Sequence, residues 1–158
     1  VFGNAAGVGL GTFTARGTLD GTVIDVTDGD VTSFTAARMR DSTVQVGARY
    51  TKGNTVDAAV VFAPTLRKIG TLKLTAPFSG PSSPPATQAA SAAFRDSYVA
   101  AGSLGTISIT GQASIADDTE THGVAYGNAG AHGTVTVGGV MVPDNTTLTN
   151  TKFRKAGN

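Results

Sequence analysis

The sequence predicts an all-β fold, a parallel β-solenoid (parallel β-helix) of about five degenerate coils of about 21 residues, with loop insertions. Three observations support this prediction: one short sequence segment occurs twice, apolar and polar residues alternate at the start of each repeat unit, and glycine is abundant. The 158 residues include 21 Gly and no Trp or Cys. This composition favours short strands joined by tight turns, and it excludes disulfides and thiolate chemistry. Residues 1–158 are predicted to form a single domain, since this length is enough to bury one core.

The repeated phrase is DSTVQVG at Asp41–Gly47, which returns as DSYVAAG at Asp96–Gly102. Upstream, Gly11–Val26 aligns with Thr32–Gly47 at an offset of 21 residues. The aligned pairs are Phe13 with Phe34, Thr14 with Thr35, Ala15 with Ala36, Asp20 with Asp41, and Val23 with Val44. The later coils are predicted to start at Gly-Thr pairs, at Gly70, Gly105 and Gly133. Since one such unit cannot bury its apolar side alone, equivalent strands of successive coils are expected to pair about 4.8 Å apart.

Each coil start alternates apolar and polar residues with a period of two, as a half-buried strand does. The predicted inward residues are Phe13, Phe34, Leu72, Leu74, Ile107, Ile109, Val135 and Val137, with Val23, Val44 and Val99 from the second strand of each coil. In the second strand of the first coil, Asp25 alternates with Val23. Because a charged side chain should not face the core, we expect VIDV to contain a bulge or to end early.

Three insertions interrupt the repeat, at about residues 48–68, 77–91 and 115–133. The first contains its own apolar run, Ala58–Ala63, which predicts an extra strand lying against the stack. The second is rich in Pro and Ser and is expected to be an exposed excursion. The third is polar and is expected to be a solvated loop. Loops on a rigid stack are common sites of recognition.

The GTISITG and DSYVAAG segments, with Gly-Ser or Gly-Thr before the strands, resemble the coils of a known group of proteins. They are similar to the degenerate coils of right-handed parallel β-helices in large bacterial surface and secreted repeat proteins, of the adhesin and autotransporter-passenger type. The resemblance spans about residues 10–150 and rests on composition. It implies a right-handed winding, an extracellular or cell-surface location, and a structural or adhesive role.

An Asp recurs at the predicted coil corners, and a small residue follows it each time. These residues are Asp20, Asp41, Asp96 and Asp144. As turn residues they would accept hydrogen bonds from backbone amides. A calcium ladder of stacked carboxylates is the alternative. Arg40 and Arg95, which directly precede two of these Asp residues, would instead neutralise them.

Acidic and imidazole groups gather in the third insertion. The weak candidates for metal ligands are Asp117, Asp118, Glu120 and His122. His132 lies ten residues beyond His122, and this separation matches no standard ligand spacing. The sequence therefore predicts no metal site and no cofactor.

The sequence predicts no enzyme, because it contains no nucleophile elbow, phosphate loop or zincin motif. The alternative is a carbohydrate-active β-helix enzyme, a polysaccharide hydrolase or lyase. In that case the chemistry would fall to charged residues that could share a face, namely Asp20, Asp41, Arg38 and Arg40.

The outward positions of the first strands would stack as two columns of hydroxyl groups. They are Thr12, Thr14, Ser33, Thr35, Thr71, Thr106, Ser108, Thr134 and Thr136, with Lys73 interrupting one column. Thr is a common solvent-facing strand residue. A flat hydroxyl array is also what an ice-binding face uses, so ice binding is a second alternative function.

A net charge of +1 predicts no nucleic-acid partner, and no apolar run is long enough for a transmembrane segment. No amphipathic capping helix is predicted at either terminus. We therefore expect the open strand edges to pair with the rest of a longer solenoid or head to tail with other copies, which would give a filament. The predicted function is that of a structural or adhesive extracellular β-solenoid that self-assembles end to end into a fibre, with glycans as a further partner class.

Overall fold

The computed structural model describes residues 8–50, 60–63, 66–77, 91–111, 122–127, 132–144, 146–147 and 153–157. Over these residues the protein is all-β, as predicted, and its strands form two mostly parallel sheets and one antiparallel hairpin. None of the described residues belongs to a helix of the length and apolarity that a membrane crossing requires. In chain order the strands are β1 (Val8–Asp20), β2 (Val23–Val26), β3 (Asp30–Arg40), β4 (Thr43–Val46), β5 (Ala48–Tyr50), β6 (Val60–Phe62), β7 (Lys68–Leu74), β8 (Phe94–Arg95), β9 (Tyr98–Ala101), β10 (Ser103–Ile109), β11 (His122–Tyr126), β12 (Val135–Val137), β13 (Val140–Met141), β14 (Thr146–Thr147) and β15 (Phe153–Gly157).

The two parallel sheets, which we call sheets A and B, take strands from the chain in alternation. Sheet A has the order β1-β3-β7-β10-β12-β13, with β8 beside the second half of β3, and sheet B has the order β2-β4-β9-β11-β15-β14. The chain thus passes from β1 to β2, returns to β3, and passes again to β4. Neighbours are parallel except for the last pair in each sheet, β12 with β13 and β15 with β14.

The strand register in sheet A follows the predicted copies. Thr12 lies opposite Ser33, Ser33 opposite Thr71, and Thr71 opposite Thr106. The last copy joins where β12 pairs with β10. In sheet B, the two versions of the repeated phrase lie side by side, because β4 pairs in parallel with β9. Equivalent segments of the sequence repeat are therefore paired as neighbouring strands.

A β-bulge shifts the register in the second half of the first coil. Between Ala15 and Thr18, β1 has two residues where β3 has one. Beyond this bulge, Asp20 lies opposite Arg40. The predicted pairing of Asp20 with Asp41 is therefore wrong by one residue.

The same shift decides which side of β2 is buried. Ile24, not Val23, lies opposite Val44. Ile24 and Val26 are buried, whereas Val23 is 66% exposed. The prediction that VIDV contains a bulge or ends early is therefore wrong, because β2 pairs regularly over Val23–Val26. The irregularity lies upstream, in β1, and it turns Asp25 away from the core. Val23 as a core residue was a wrong prediction.

The two sheets contribute to one hydrophobic core, which includes buried residues from β2, β3, β4, β7, β9, β10, β11 and β12. Apart from Val23, the predicted inward residues are buried or, in the case of Phe13, half-buried at the end of the stack. Each large side chain removed from water in this way contributes roughly 1.5–3 kcal/mol. The core is therefore shared by the strands of both sheets rather than confined to one pair of strands.

The Gly-Thr pair that opens the later coils has a steric cause. A Cβ atom at Gly105 would lie 1.8 Å from the backbone oxygen of Gly70, and one at Gly133 would lie 2.6 Å from that of Gly105. Gly70 faces the oxygen of Thr32 in the same way, at 2.6 Å. By contrast, a Cβ atom at Gly11 would meet nothing within 4 Å. At Gly70, Gly105 and Gly133, neighbouring strands of sheet A therefore approach too closely for a side chain.

The first predicted insertion contains the expected extra strand. β6 pairs antiparallel with β5, and this hairpin packs on Tyr98 and Ala125 of sheet B. Tyr50 stacks on Tyr98, with ring centroids 3.9 Å apart. Because the hairpin covers the outer side of sheet B, the β9 and β11 strands are buried on both faces.

The other two insertions have different outcomes. Of residues 77–91, only Pro77 and Ser91 lie within the described residues. The stretch 115–133 is not a solvated loop throughout, because His122–Tyr126 forms the buried strand β11 between β9 and β15. Its pattern of apolar and small residues lacks the alternation of a one-sided strand, since both of its faces are covered.

The two ends of the stack differ. At one end, β1 and β2 each have a neighbour on one side only among the described residues, and β1 is 13 residues long. At the other end, the outermost strands β13 and β14 have two residues each and run antiparallel to their neighbours. The chain turns back from β12 to β13 through Gly138 and Gly139, both with positive φ, as a tight hairpin requires.

Candidate functional site

The outward face of sheet A carries the two hydroxyl columns. The first column runs through Thr12, Ser33, Thr71 and Thr106, and Thr134 continues it, since its carbonyl accepts a hydrogen bond from the Ile107 amide. The second column runs through Thr14, Thr35, Lys73, Ser108 and Thr136. All of these residues are exposed or half-buried. We call this surface the hydroxyl face.

The geometry of the hydroxyl face follows from strand pairing. Neighbours within a column are separated by about 4.8 Å, and the two columns by about 6.8 Å, two residues along a strand. Among the described residues, the hydroxyls of Thr12, Thr71 and Thr106 have no protein hydrogen-bond partner, whereas Thr136 Oγ1 donates to the carbonyl of Ile107 at 3.3 Å. The first column therefore presents hydroxyls that are available to solvent or to a ligand.

Only two of the four predicted corner Asp residues, Asp41 and Asp96, occupy equivalent positions. The equivalent left-handed corner positions are Gly21, Asp41 and Asp96, with φ of 56°, 46° and 47°. The Gly21 amide donates to the carbonyl of Arg40, and the Asp41 amide donates to that of Arg95. Asp tolerates this conformation better than most residues with a side chain. Asp20 lies one position earlier, and Asp144 lies at the far end of the stack, in a different environment.

A column of small hydroxyl residues follows these corners. Ser42 Oγ accepts a hydrogen bond from the Thr22 amide at 3.0 Å and donates to the carbonyl of Arg40 at 2.6 Å. Ser97 Oγ repeats the arrangement, accepting from the Ser42 amide at 3.1 Å and donating to the carbonyl of Arg95 at 2.6 Å. Each hydroxyl thereby joins two successive coils. The small residue after each corner Asp was visible in the sequence, but its role between coils was not predicted.

The charged residues considered for a polysaccharide-cleaving site are brought together only in part. Asp20 lies opposite Arg40, and Arg38 lies opposite Thr18. Because Met39 between the two arginines is buried, both arginines project outward. Asp41 sits at the corner instead. At the equivalent corner, Arg95 Nε lies 3.1 Å from Asp96 Oδ2.

The residues considered as metal ligands are not assembled within the described part of the chain. Asp117, Asp118 and Glu120 lie outside the described residues. His122 is fully buried in β11, where its Nδ1 accepts a hydrogen bond from the Asp96 amide and lies 3.8 Å from Asp96 Oδ1. Across the described ranges, no three His, Cys, Asp or Glu residues are close enough to hold a metal ion.

A charged cluster at the far end of the stack was not predicted as a unit. Lys155 Nζ lies 2.8 Å from Asp144 Oδ1 and donates to the carbonyl of Val142 at 2.9 Å. His132 Nε2 lies 2.9 Å from the second carboxylate oxygen, Asp144 Oδ2. The Lys155 ammonium is also 5.9 Å from the centre of the Tyr126 ring, which packs on His132. We call these four residues the terminal cluster: Tyr126, His132, Asp144 and Lys155.

The electrostatics of the terminal cluster follow from one buried cation. The side chain of Lys155 is only 3% exposed, while that of Asp144 is 36% exposed. The hydrogen bond from Lys155 holds the pKa of Asp144 below its usual value, with smaller contributions from Tyr126 and His132. Burial, and then the neighbouring Asp144 carboxylate, raises the pKa of Tyr126. The cluster joins β15 to β11 and to the segment after β13. It was missed because its members are separated by up to 29 positions and share no motif.

Comparison of the chain with protein-family models, with curated proteins and with solved structures found no match in any of the three. The functional argument therefore rests on the geometry of the chain itself.

Proposed function

We propose that the chain is a parallel β-solenoid that acts as a non-enzymatic adhesive module outside the cell, with the hydroxyl face as its contact surface. The solenoid winding is supported by the alternation of strands between sheets A and B and by a core to which both sheets contribute. The sequence resemblance to bacterial surface β-helices supports the location. The alternation of inward and outward residues along the strands of sheet A supports a flat contact surface rather than a catalytic cleft.

The main support for the functional proposal is that the hydroxyls of Thr12, Thr71 and Thr106 are in register, exposed, and without protein partners among the described residues. A hydroxyl both donates and accepts hydrogen bonds, so such a column can contact a polyhydroxyl ligand in either polarity. The β-branched Thr side chain has restricted rotamers and loses little entropy on binding. Lys73 adds one cation at the centre of the face. The ligand class that suits this surface is an extended polysaccharide.

The proposal is tested by co-sedimentation with insoluble polysaccharides, such as cellulose and chitin, and with a plain mineral surface as a blank. Removing two hydroxyls without changing shape, in the double variant Thr71→Val and Thr106→Val, should weaken binding about tenfold, since each hydrogen bond contributes about 0.5–1.5 kcal/mol. The matched control is Thr43→Val, on the outward side of sheet B, which should bind as the wild type does.

Three outcomes would contradict the proposal. The first is absence of binding to every polysaccharide tested, and the second is equal loss of binding in Thr43→Val. The third is release of sugar products during the assay, which would favour the enzyme alternative. Thermal hysteresis that disappears in Thr106→Tyr would instead assign the hydroxyl face to ice.

Self-association is the second part of the proposal, and it is supported by the edge of β1 that no other described strand covers. A long unpaired strand edge is a template for pairing with another chain. The opposite end offers only the two-residue edges of β13 and β14. End-to-end pairing is therefore expected to join β1 edges to each other more readily than to build a head-to-tail filament.

The expected result in light scattering and electron microscopy across a concentration series is a pair of chains at high concentration. Gly11→Lys adds a charge at an open position of β1 and should abolish pairing without disturbing the core. Long filaments would show that the two ends do join, and a strict monomer at all concentrations would remove this part of the proposal while leaving the adhesive face untouched.

A further inference from the structure

A groove of about 340 Å³ lies where the β5–β6 hairpin leaves sheet B. Its volume is at the small end of the range found for ligand-binding sites. It is remote from the hydroxyl face, because its walls belong to the hairpin and to the turn after β2. The side chains that line it include those of Thr27, Arg49, Val61 and Phe62.

The walls of the groove are held by backbone contacts. The amide of Ala63 donates to the carbonyl of Gly47, and the amide of Gly47 donates to the carbonyl of Val26, both at 2.8 Å. The Phe62 ring packs so closely on Gly127 that a Cβ atom there would lie 2.8 Å from the ring. The groove is therefore preformed, and a ligand would not have to order it.

The groove combines one cation with an apolar surface. Arg49 and Val61 are cross-strand partners in the hairpin, so their side chains leave it on the same side. Val61 is 71% exposed, so an uncovered apolar surface lies beside Arg49. Within the described residues no carboxylate lies within ion-pair distance of Arg49, and the nearby carboxylate of Asp28 is held by Arg67.

We propose that this groove binds a small organic carboxylate that carries an aromatic or branched aliphatic group. The guanidinium of Arg49 holds the carboxylate, with the planar geometry that favours a two-point contact. Val61, which projects on the same side of the hairpin as Arg49, covers the apolar group. A neutral ligand would lose the first contact, and a cationic ligand would be repelled by Arg49.

The test is an amide chemical-shift titration of the whole chain with phenylacetate, compared with its neutral analogue phenylacetamide. Phenylacetate should perturb the amides of Thr27, Gly47 and Ala63, with a dissociation constant on the order of 1 mM. Phenylacetamide should bind about fivefold more weakly, the effect of one partly exposed ion pair.

Substitutions in the groove test which side chains bind the ligand. Arg49→Gln should bind phenylacetate and phenylacetamide equally weakly, and Val61→Ser should weaken both ligands. The matched control is Arg16→Gln, which removes an exposed arginine from β1 and should leave binding unchanged. Unperturbed amides in sheet A would show that each variant is folded.

Two results would overturn the inference. One is the absence of shifts at these three amides at tens of millimolar phenylacetate. The other is equal binding of the acid and the amide by the wild type, which would make the groove a simple apolar contact. Neither result bears on polysaccharide binding, because the hydroxyl face is not altered in these experiments.

Discussion

The phenyl rings of Phe13 and Phe34 stack face to face, with their centroids 4.8 Å apart and their planes inclined by 12°. This separation equals the spacing of neighbouring strands. The stacking of the two rings therefore follows from the in-register pairing of two similar segments, Gly11–Val26 and Thr32–Gly47. Phe34 is fully buried between coils, whereas Phe13 is half-buried at the open end.

Phe34→Ala should destabilise the protein much more than Phe13→Ala. Removing a fully buried ring costs about 3–5 kcal/mol, because both the transfer of the ring and the remaining cavity contribute. Phe13 has only one coil packed against it within the described residues, so its loss should cost about half as much. Urea unfolding followed by circular dichroism checks this difference. Equal losses would show that the open end of the stack is covered as well as its interior.

Ser97→Ala should cost about 1–3 kcal/mol, because it leaves the buried amide of Ser42 without its hydrogen-bond partner. The matched control is Ser108→Ala on the hydroxyl face, which should change stability by less than about 0.5 kcal/mol. The same urea experiment measures both variants. If Ser97→Ala were as mild as its control, the corner hydroxyls would not be what joins the coils.

Gly105→Ala should destabilise the stack severely, by at least about 3 kcal/mol, because the new methyl group would overlap the backbone oxygen of Gly70 and force the two coils apart. Gly11→Ala, in the open equivalent position of the first coil, should be neutral or slightly stabilising. Thermal melting of both variants provides the comparison. A stable Gly105→Ala protein would mean that neighbouring coils can separate at little cost.

Protonation of Asp144 should weaken the end of the stack at low pH. Its pKa is depressed in the folded state, so the carboxylate contributes stability that is present above its unfolded pKa of about 3.9 and is lost as pH falls below that value. The measurement is the urea midpoint between pH 7 and pH 3.

Asp144→Asn should remove this part of the pH dependence and should cost about 2 kcal/mol at pH 7, because the buried ammonium of Lys155 loses its counter-charge. Asp25→Asn is a suitable control, since Asp25 lies on the outward side of β2. A wild type and an Asp144→Asn variant with parallel pH curves would contradict the assigned role of the cluster.

The repeated part of the fold could be predicted because equivalent positions of the repeat determine both which residues pair between strands and which residues face the core. Phe13 and Phe34 occupy equivalent positions, and alternation then places Thr12 and Thr14 on the other face. The bulge at Arg16 and Gly17 could not be placed in the same way. The bulge adds one residue to β1, and the sequence gives no sign of its position. Beyond it, each residue pairs with a different partner and points to the opposite side of the sheet from that predicted.

The terminal cluster and strand β11 show a second limit of sequence reasoning. His122 and the residues after it look like part of a polar loop, yet they are buried on both faces. The hairpin that covers them comes from far earlier in the chain, at β5 and β6. Likewise, Lys155 lies in a basic and polar segment, and its burial is explained by its contacts with Asp144 and the carbonyl of Val142. Both features depend on contacts that no local pattern encodes.

The two hydrogen bonds that the corner serines accept point the same way along the chain, from an earlier amide to a later hydroxyl. The amide of Thr22 depends on the hydroxyl of Ser42, and the amide of Ser42 depends on that of Ser97. Each of these two amides therefore gains its partner only when a serine from later in the chain has docked beside it. A nascent chain would hold its newest corner open until the following strand docks, so that protection of the Ser42 amide against hydrogen exchange should appear only after Ser97 has left the exit tunnel.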